Sequence, residues 1–456
     1  MGRRSHSQTL SLWANGDFVG RWTINANGDS ELQYDSAWCR SPRGRPISLS
    51  LPFNLHNEPL RGDRVSHYFD GLLPDNETIR RRVAARFKTG SIEAFDLLSA
   101  IGRDCVGALQ LLPDDAVPQG IDKVEGVVVD EEAIERHLLE VVSPERFAAA
   151  RDPDDDFRIS LAGAQEKDAF LWWDGQWMKP RGATPTTHIF KLPIGMVGGR
   201  KADFTTSVDN EWLCMRLLKA YGLPTADVRI ATFGSQRVLV VERFDRVLSR
   251  SGKQLFRLIQ EDFCQATGTS PLVKYENEGG PGLATLFTLL QQSQQAEEDM
   301  RTLMASQIIF WMMRAPDGHA KNFSLQLLAG DGGRFRLTPI YDVMSAYPVI
   351  GDGPSQWAEQ EIKLAMALLG KNRHYQMHKI ERRHFTTARR GRSAMARTPS
   401  RCFRRSLPAR PGSSNRFAPN FRRASRSRWP TKCWAGCSRR RARWNACPQP
   451  DRSNKR

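Results

Sequence analysis

The chain has 456 residues, enough for two or three domains with substantial cores, and 67 basic against 50 acidic residues give it a formal net charge of +17. That excess is local: residues 388–456 hold 21 basic residues against the single acid Asp451, which leaves 46 basic and 49 acidic residues before them. The body is therefore mildly acidic, which excludes reading the overall charge as the footprint of a nucleic-acid-binding surface.

In chain order, alternating apolar residues are punctuated by Asn15-Gly16 and Asn27-Gly28, two type I′ turn signals that predict a small antiparallel sheet. Residues 66–110 read as helical, with Tyr68, Phe69, Leu72 and Leu73 on one face before Pro74 and a second helix near Glu77 to Phe87. Arg80 to Arg82 read as a solvated helix face. Residues 113–156 are charged and end in Asp152-Pro-Asp-Asp-Asp156, which predicts a flexible connection. The body cysteines Cys39, Cys105, Cys214 and Cys264 show no pairing or metal-ligand spacing and are expected to be reduced thiols of a cytoplasmic protein. No signal peptide and no membrane segment are expected, because Asn15 and Asp17 precede any apolar run and the longest run, Gln307 to Met313, is too short to cross a bilayer.

Chemistry begins at Arg158-Ile-Ser-Leu-Ala-Gly-Ala-Gln-Glu-Lys167, ahead of a strand-like Ala169 to Trp173. Small residues at 162–164 let backbone N–H groups approach a phosphate, or simply make a hairpin turn, since neither GxxxxGKS nor GxGxxG is present. Lys191 then sits between Phe190 and Leu192 in a short apolar run, where its ammonium must snorkel or find an anion. The amphipathic helix Asp209 to Leu218 carries Glu211 near its start, a possible partner for Lys191 or a surface residue. A strand lysine followed by a helix glutamate is how kinases hold ATP phosphates. Val238 to Asp245 reads as a buried strand running into a linker, where Glu242 to Phe244 could meet adenine or only end a core strand. After an apolar helix from about Leu303 to Met313 comes Asp317-Gly-His-Ala-Lys-Asn322, with the Asp-to-Asn spacing of the kinase loop HRDxxxxN, and then Tyr341-Asp342 after a short strand.

Across residues 10 to about 386 the chain resembles the HipA serine/threonine-protein kinase toxins of bacterial type II toxin-antitoxin systems. The likeness rests on Ser48 to Pro52, Phe69-Asp-Gly-Leu-Leu-Pro74, Phe95 to Leu98, Ile101-Gly-Arg-Asp104, Ser160 to Lys167, Asp209-Asn-Glu211, Val241 to Arg246, Gln260 to Cys264, Lys274-Tyr-Glu276 and Asp317 to Asn322. It implies an α+β, two-lobed kinase-like fold with a β-rich N-terminal lobe and a helical C-terminal lobe. The implied division is an N-terminal subdomain over 1–112, a connecting segment over 113–156, a kinase domain over 157–386 with its lobe boundary near 245, and an arginine-rich tail over 387–456.

Carried onto matching positions, Asp317 is the expected catalytic base, and Asn322 and Asp342 the magnesium ligands. Ala162, Gly163, Ala164, Gln165, Lys191, Glu242, Phe244, His319 and Lys321 form the ATP site, and Ser160 is the autophosphorylation site. The implied cofactors are ATP and Mg2+. The implied partners are glutamyl-tRNA synthetase as substrate, a helix-turn-helix antitoxin of the HipB type, and operator DNA through the antitoxin complex. A small-molecule kinase and an inactive scaffold that binds antitoxin and DNA are the alternative functions. The tail has one leucine, Leu407, and no Ile, Val or Tyr, so it is expected to be disordered or an out-of-frame translation in place of leucine-rich helices, leaving core beneath the catalytic loop uncovered.

Overall fold

The computed structural model describes residues 7–142, 160–163, 165–330, 333–370 and 372–385. The acidic run 152–156 and the arginine-rich tail lie outside them.

Strands β1 (Gln8–Ala14) and β2 (Asp17–Ile24) form a hairpin in which Ala14 faces Asp17. Asn15 and Gly16 between them both adopt left-handed φ, 51° and 87°, as a type I′ turn requires. The second expected hairpin differs. Only Gly28 is left-handed there, and the Asn27 side chain accepts from the Asp29 N–H at 3.1 Å, so a longer Asx-type loop joins β2 to β3 (Ser30–Tyr34). Helix α1 (Ser36–Arg40), strand β4 (Leu60–Arg61), helices α2 (Asp63–Asp70), α3 (Glu77–Phe87) and α4 (Ala94–Ile101), and strand β5 (Leu109–Pro113) complete this subdomain. Its sheet runs β4-β3-β2-β1-β5. Helices α2 and α4 close one face, where Trp22 stacks on Phe69 with ring centroids 3.9 Å apart. Arg80 does not belong to a solvated face: its guanidinium bonds Asp70 and the Pro74 carbonyl, at 2.7 and 2.6 Å, and so fixes the turn after α2.

Part of the segment expected to be flexible is packed structure. Strand β6 (Gly126–Val128) pairs with a later strand, and helix α5 (Glu131–Val142) buries Ile134 and Leu138. Low overall hydrophobicity hid a helix with one narrow apolar stripe. Strands β7 (Lys167–Trp173), β8 (Gln176–Pro180), β9 (His188–Lys191), β10 (Gly195–Val197) and β11 (Ala202–Phe204) follow, then helix α6 (Ser207–Ala220) and strands β12 (Val228–Phe233) and β13 (Gln236–Glu242). Six of the strands make an antiparallel sheet in the order β12-β13-β9-β7-β8-β6, with β9 near its middle. This is the β-rich lobe.

The remaining elements are strands β14 (Arg246–Leu248), β15 (Leu255–Arg257) and β16 (Gln260–Asp262), helices α7 (Phe263–Thr267), α8 (Leu283–Leu290) and α9 (Ala296–Met313), and strands β17 (Ser324–Leu327), β18 (Phe335–Leu337), β19 (Lys363–Leu369) and β20 (Arg373–Gln376). The C-terminal lobe therefore carries β16-β17-β18 and β19-β20 sheets beside its helices. Helix α9 is its apolar axis: 13 of its residues, including Leu303 to Met313, are buried. Toward its C-terminal end, Trp311 bonds the Met377 carbonyl at 2.9 Å and packs on Phe385.

An apolar seam and a buried charge cluster help to lock the N-terminal subdomain to the rest. Ile259 and Leu327 of the C-terminal lobe lie inside its apolar core. Asp104 reaches a buried cluster in which its carboxylate accepts from Thr186, Arg246 and Arg257 at 2.6, 2.8 and 3.2 Å, while Arg243 sits 3.4 Å away and pairs with Asp245 at 2.8 Å. Burial opposes the charge on Asp104, but Arg246, Arg243 and Arg257 hold its pKa well below the ordinary carboxylate range. Asp104→Asn would leave three buried guanidiniums facing one carboxylate, so urea unfolding is expected to show a loss of about 3–5 kcal/mol. A wild-type midpoint in the variant would remove the cluster from the account of stability.

Candidate active site

The two lobes and the N-terminal subdomain enclose a cavity of about 1610 Å³. Its β-lobe wall is built on Lys191, the last residue of β9. The preceding Phe190 packs inward, and pleating turns the lysine to the opposite face, toward α6 and the cavity. The ammonium is buried and meets Glu211 Oε1 at 2.7 Å and Asp342 Oδ1 at 2.8 Å. Burial alone would lower the Lys191 pKa, but Asp342 and Glu211 together outweigh it and hold the lysine charged. Asp342 is driven down to about 2: burial opposes this, and the charges of Lys191 and Lys167 prevail. Burial pushes Glu211 up to about 7 against the pull of Lys191, with the Asp342 charge adding to the rise. Of the two carboxylates sharing the ammonium, Asp342 keeps the firmer charge.

Asp342 sits at φ 59°, a conformation that L residues rarely adopt. The constraint aims its carboxylate at Lys191 while its backbone carbonyl faces the catalytic loop. There Asn322 Nδ2 donates to the Asp317 carbonyl at 2.7 Å and approaches the Asp342 carbonyl at 3.5 Å. With its amide nitrogen committed to carbonyls, Asn322 has its side-chain oxygen left as a donor to a cation. Among the described residues no group of three or more His, Cys, Asp or Glu side chains could hold a metal ion. Asn322 and Asp342 could offer two oxygens to a hard cation that takes its others from phosphate and water.

Asp317 stands at the mouth of the loop with its side chain 47% exposed. Gly318 beside it is required by packing, since a Cβ there would lie 2.6 Å from the ring of Phe310. His319 is buried, packs edge-on against Tyr275 and lies 3.9 Å from Asp317; burial, opposed by the Asp317 charge, pushes its pKa down, so the imidazole is neutral. Lys321 lines the cavity, but its ammonium is held by Asp262 at 3.3 Å, Asp75 at 3.5 Å and the Gly71 carbonyl at 3.2 Å. It joins the loop to the N-terminal subdomain, and this engagement leaves it poorly placed for the phosphate contact expected from the sequence.

The loop ahead of β7 closes the cavity. Ala162 and Gly163 line it, Gln165 bonds the Leu192 carbonyl at 2.5 Å, and Ala164 lies outside the described residues. Gly163 has φ 110°, and a Cβ on it would lie 2.6 Å from Lys167 Nζ. Its carbonyl accepts from the Asp75 N–H at 3.1 Å, so the loop rests on the N-terminal subdomain. Ser160 is fully buried, its hydroxyl donating to the Leu72 carbonyl at 2.7 Å and its N–H to the Asp104 carbonyl at 3.1 Å. At the far end, the Glu242 and Arg243 N–H groups donate to the Asp227 and Thr187 carbonyls at 2.9 Å each, and the Phe244 ring leans on Tyr341 at 5.7 Å.

Three residues of the site escaped the sequence reading. Lys167 points into the cavity, its pKa lowered to about 8 by burial and the Lys191 charge. Asp75 pairs with Lys274 at 2.8 Å, and Tyr275 donates its hydroxyl to Asp317. Lys167 closes the quoted motif Ser160 to Lys167, Asp75 adjoins Phe69 to Pro74, and Tyr275 lies within Lys274-Tyr-Glu276. Spacing carried no hint that these motifs meet.

Comparison with known proteins matches residues 10–112 to the HipA N-terminal domain and residues 159–406 to the HipA-like C-terminal domain. The putative kinase Y4mE of Sinorhizobium fredii is 35% identical over 347 residues, covering 75% of this chain and 78% of the relative. The serine/threonine-protein kinase toxin HipA of Shewanella oneidensis is 25% identical over 386 residues, covering 80% of each. Among solved structures, the complex of Shewanella oneidensis MR-1 HipA with HipB and operator DNA superposes with a TM-score of 0.65 at 22% identity, covering 94% of this chain and 97% of that one, and so shares the fold.

Lys191→Met would strand Glu211 and Asp342 without their cation. Chemical denaturation is expected to show a loss of about 3–5 kcal/mol, with roughly half regained in the double variant that adds Glu211→Gln. Equal stability of wild type and the single variant would mean that the two carboxylates do not depend on the lysine.

Proposed function

The chain belongs to the HipA family, and on that premise we propose that it is an ATP- and magnesium-dependent serine/threonine protein kinase acting as the toxin of a toxin-antitoxin pair. One observation carries the reading: Lys191, fixed by Glu211 and Asp342, faces the Asp317 to Asn322 loop across a single cavity. Phosphoryl transfer needs this pairing of a phosphate-holding cation with a carboxylate that positions the attacking hydroxyl. In this reading Lys191 and Lys167 bind the phosphates, Ala162 to Gln165 cover them, and Glu242 to Phe244 border the adenine. Asp317 accepts the proton of the acceptor hydroxyl. Asn322 and Asp342 would hold magnesium, which when bound neutralises phosphate charge.

Ser160 is the self-modification site in the same reading. Its burial means that phosphate can reach it only after the segment leaves, with loss of the Leu72, Asp104 and Asp75 contacts. A dianion cannot then return to a closed site facing the Leu72 carbonyl, so the covering loop would stay out and ATP binding would fail. Glutamyl-tRNA synthetase is the protein acceptor whose modification would halt translation and favour persistence. The partner is a helix-turn-helix antitoxin of the HipB type that brings the pair to operator DNA.

The test is incubation with labelled ATP, with and without glutamyl-tRNA synthetase, beside Asp317→Gln. Label on Ser160 and on the synthetase, lost in the variant by about 100-fold or more, is the expected result. Label on neither would leave the inactive scaffold, and label on small metabolites alone would favour a small-molecule kinase.

A pH dependence follows from Lys167. Its ammonium is present below about 8 and is lost as pH rises through that value. ATP affinity is therefore expected to fall roughly tenfold between pH 7 and pH 9, and Lys167→Met to show weaker binding with a flat profile, as read by titration calorimetry. An unchanged slope in the variant would take Lys167 out of the phosphate site.

A further inference from the structure

Resting on the kinase reading above, we propose that Tyr275 is a positioning residue for the general base: it anchors one oxygen of Asp317 so that the other is the one that takes the proton. Tyr275 lies on the segment before α8, far in sequence from the catalytic loop, and its hydroxyl donates to Asp317 Oδ1. Asp317 is otherwise loosely placed. Its side chain is 47% exposed, and the nearest cationic or imidazole nitrogen, His319 Nε2, is 3.9 Å away. A carboxylate so exposed would rotate about its own axis and present its two oxygens in turn. Asp317 lines the cavity, and one strong bond to Oδ1 opposes that rotation and leaves Oδ2 as the oxygen to meet an acceptor hydroxyl within hydrogen-bond reach. Burial and then the Asp317 charge push the Tyr275 pKa up, so the phenol keeps its proton and remains a donor.

Tyr275 is held from two sides. Its ring takes the edge of buried His319, with centroids 5.0 Å apart and planes at 88°. Its neighbour Lys274 pairs with Asp75 at 2.8 Å, and the Lys274 carbonyl accepts from the Ala320 N–H at 3.4 Å. The brace therefore runs from the N-terminal subdomain through Asp75 and Lys274 to Tyr275 and the base. Asp75 also supports Gly163 and Lys321, so one acidic residue of the N-terminal subdomain steadies the covering loop, the catalytic loop and the residue that aims Asp317.

The experiment measures steady-state turnover of magnesium-ATP, with water as acceptor, in four full-length proteins that all carry Ser160→Ala, so that self-modification does not stop the cycle: the parent, Tyr275→Phe, Asp317→Asn and the double variant. Tyr275→Phe keeps the ring against His319 and removes only the hydroxyl. It is expected to lower kcat by about 10- to 100-fold with KM for ATP within about twofold, because the loss falls on the base and not on the nucleotide. In the Asp317→Asn background the same change is expected to cost almost nothing, since residues that act as a unit are not additive. Full kcat in Tyr275→Phe, or an equal fractional loss in both backgrounds, overturns the proposal. If Tyr275→Phe alters the melting temperature, Lys274→Met replaces it in the same cycle; this frees the segment from Asp75, and a several-fold fall in kcat confined to chains that retain Asp317 is expected, an unchanged kcat being the contrary result. Undiminished turnover in Asp317→Asn, or no turnover in the Ser160→Ala parent, would instead overturn the kinase reading, and the base that Tyr275 is said to aim would go with it.

Discussion

A lysine ammonium inside a protein is stable only if anions replace the water it has lost, and Lys191 needs two of them. Glu211 comes from α6 in the β-rich lobe and Asp342 from the segment after β18 in the C-terminal lobe, so the same desolvated charge ties both lobes together. Nothing in that arrangement is neutral toward a ligand. Two carboxylates share one ammonium, and Glu211 is already pushed toward protonation. A polyanion entering the cavity would meet Lys191 and Lys167, while a hard cation would meet the well-ionised Asp342 and the oxygen of Asn322. The geometry favours the two arriving together, because each relieves the charge that the other would leave unbalanced.

The N-terminal subdomain is part of this machinery. Its core includes Ile259 and Leu327 of the C-terminal lobe, and its Asp104 neutralises the guanidiniums of Arg246 on β14 and Arg257 on β15. Removing it would bare apolar surface and unpaired charge together. Ser160 is clamped between these elements, bonded to the Leu72 and Asp104 carbonyls. The covering loop is thus held shut by backbone bonds to another subdomain, and such bonds are lost together once the segment moves.

Much of the site could be seen in the chain beforehand, for physical reasons that act locally. A lysine among apolar strand residues has few ways to be stable, and an Asp and an Asn five residues apart after an apolar helix fit one loop chemistry. The Asn15-Gly16 turn was equally legible, because two left-handed residues suit few sequences. The misreadings came where a distant partner decided the outcome. Arg80 was taken for a solvent-facing residue, and its partner Asp70 lies ten positions earlier. Helix α5 and strand β6 gain stability from β8 and the lobe core, which local composition does not record. At Asn27-Gly28 an Asp29 two residues on gave the asparagine side chain another use.

The sequence by itself determined which chemical groups exist and which local segments they ride on: a charged residue in a strand, a carboxylate and an amide in one turn, a hydroxyl beside small residues. Their local spacing is set by backbone periodicity, which neighbouring residues alone can express. Only the tertiary structure decided which of these groups meet. It gave Lys191 its second carboxylate, turned Lys321 to the N-terminal subdomain, and brought Asp75, Lys167 and Tyr275 to the cavity. Those outcomes depend on desolvation and on partners far along the chain, 42 positions apart for Tyr275 and Asp317 and 151 for Lys191 and Asp342. Long-range packing sets such contacts, and a one-dimensional pattern does not carry them.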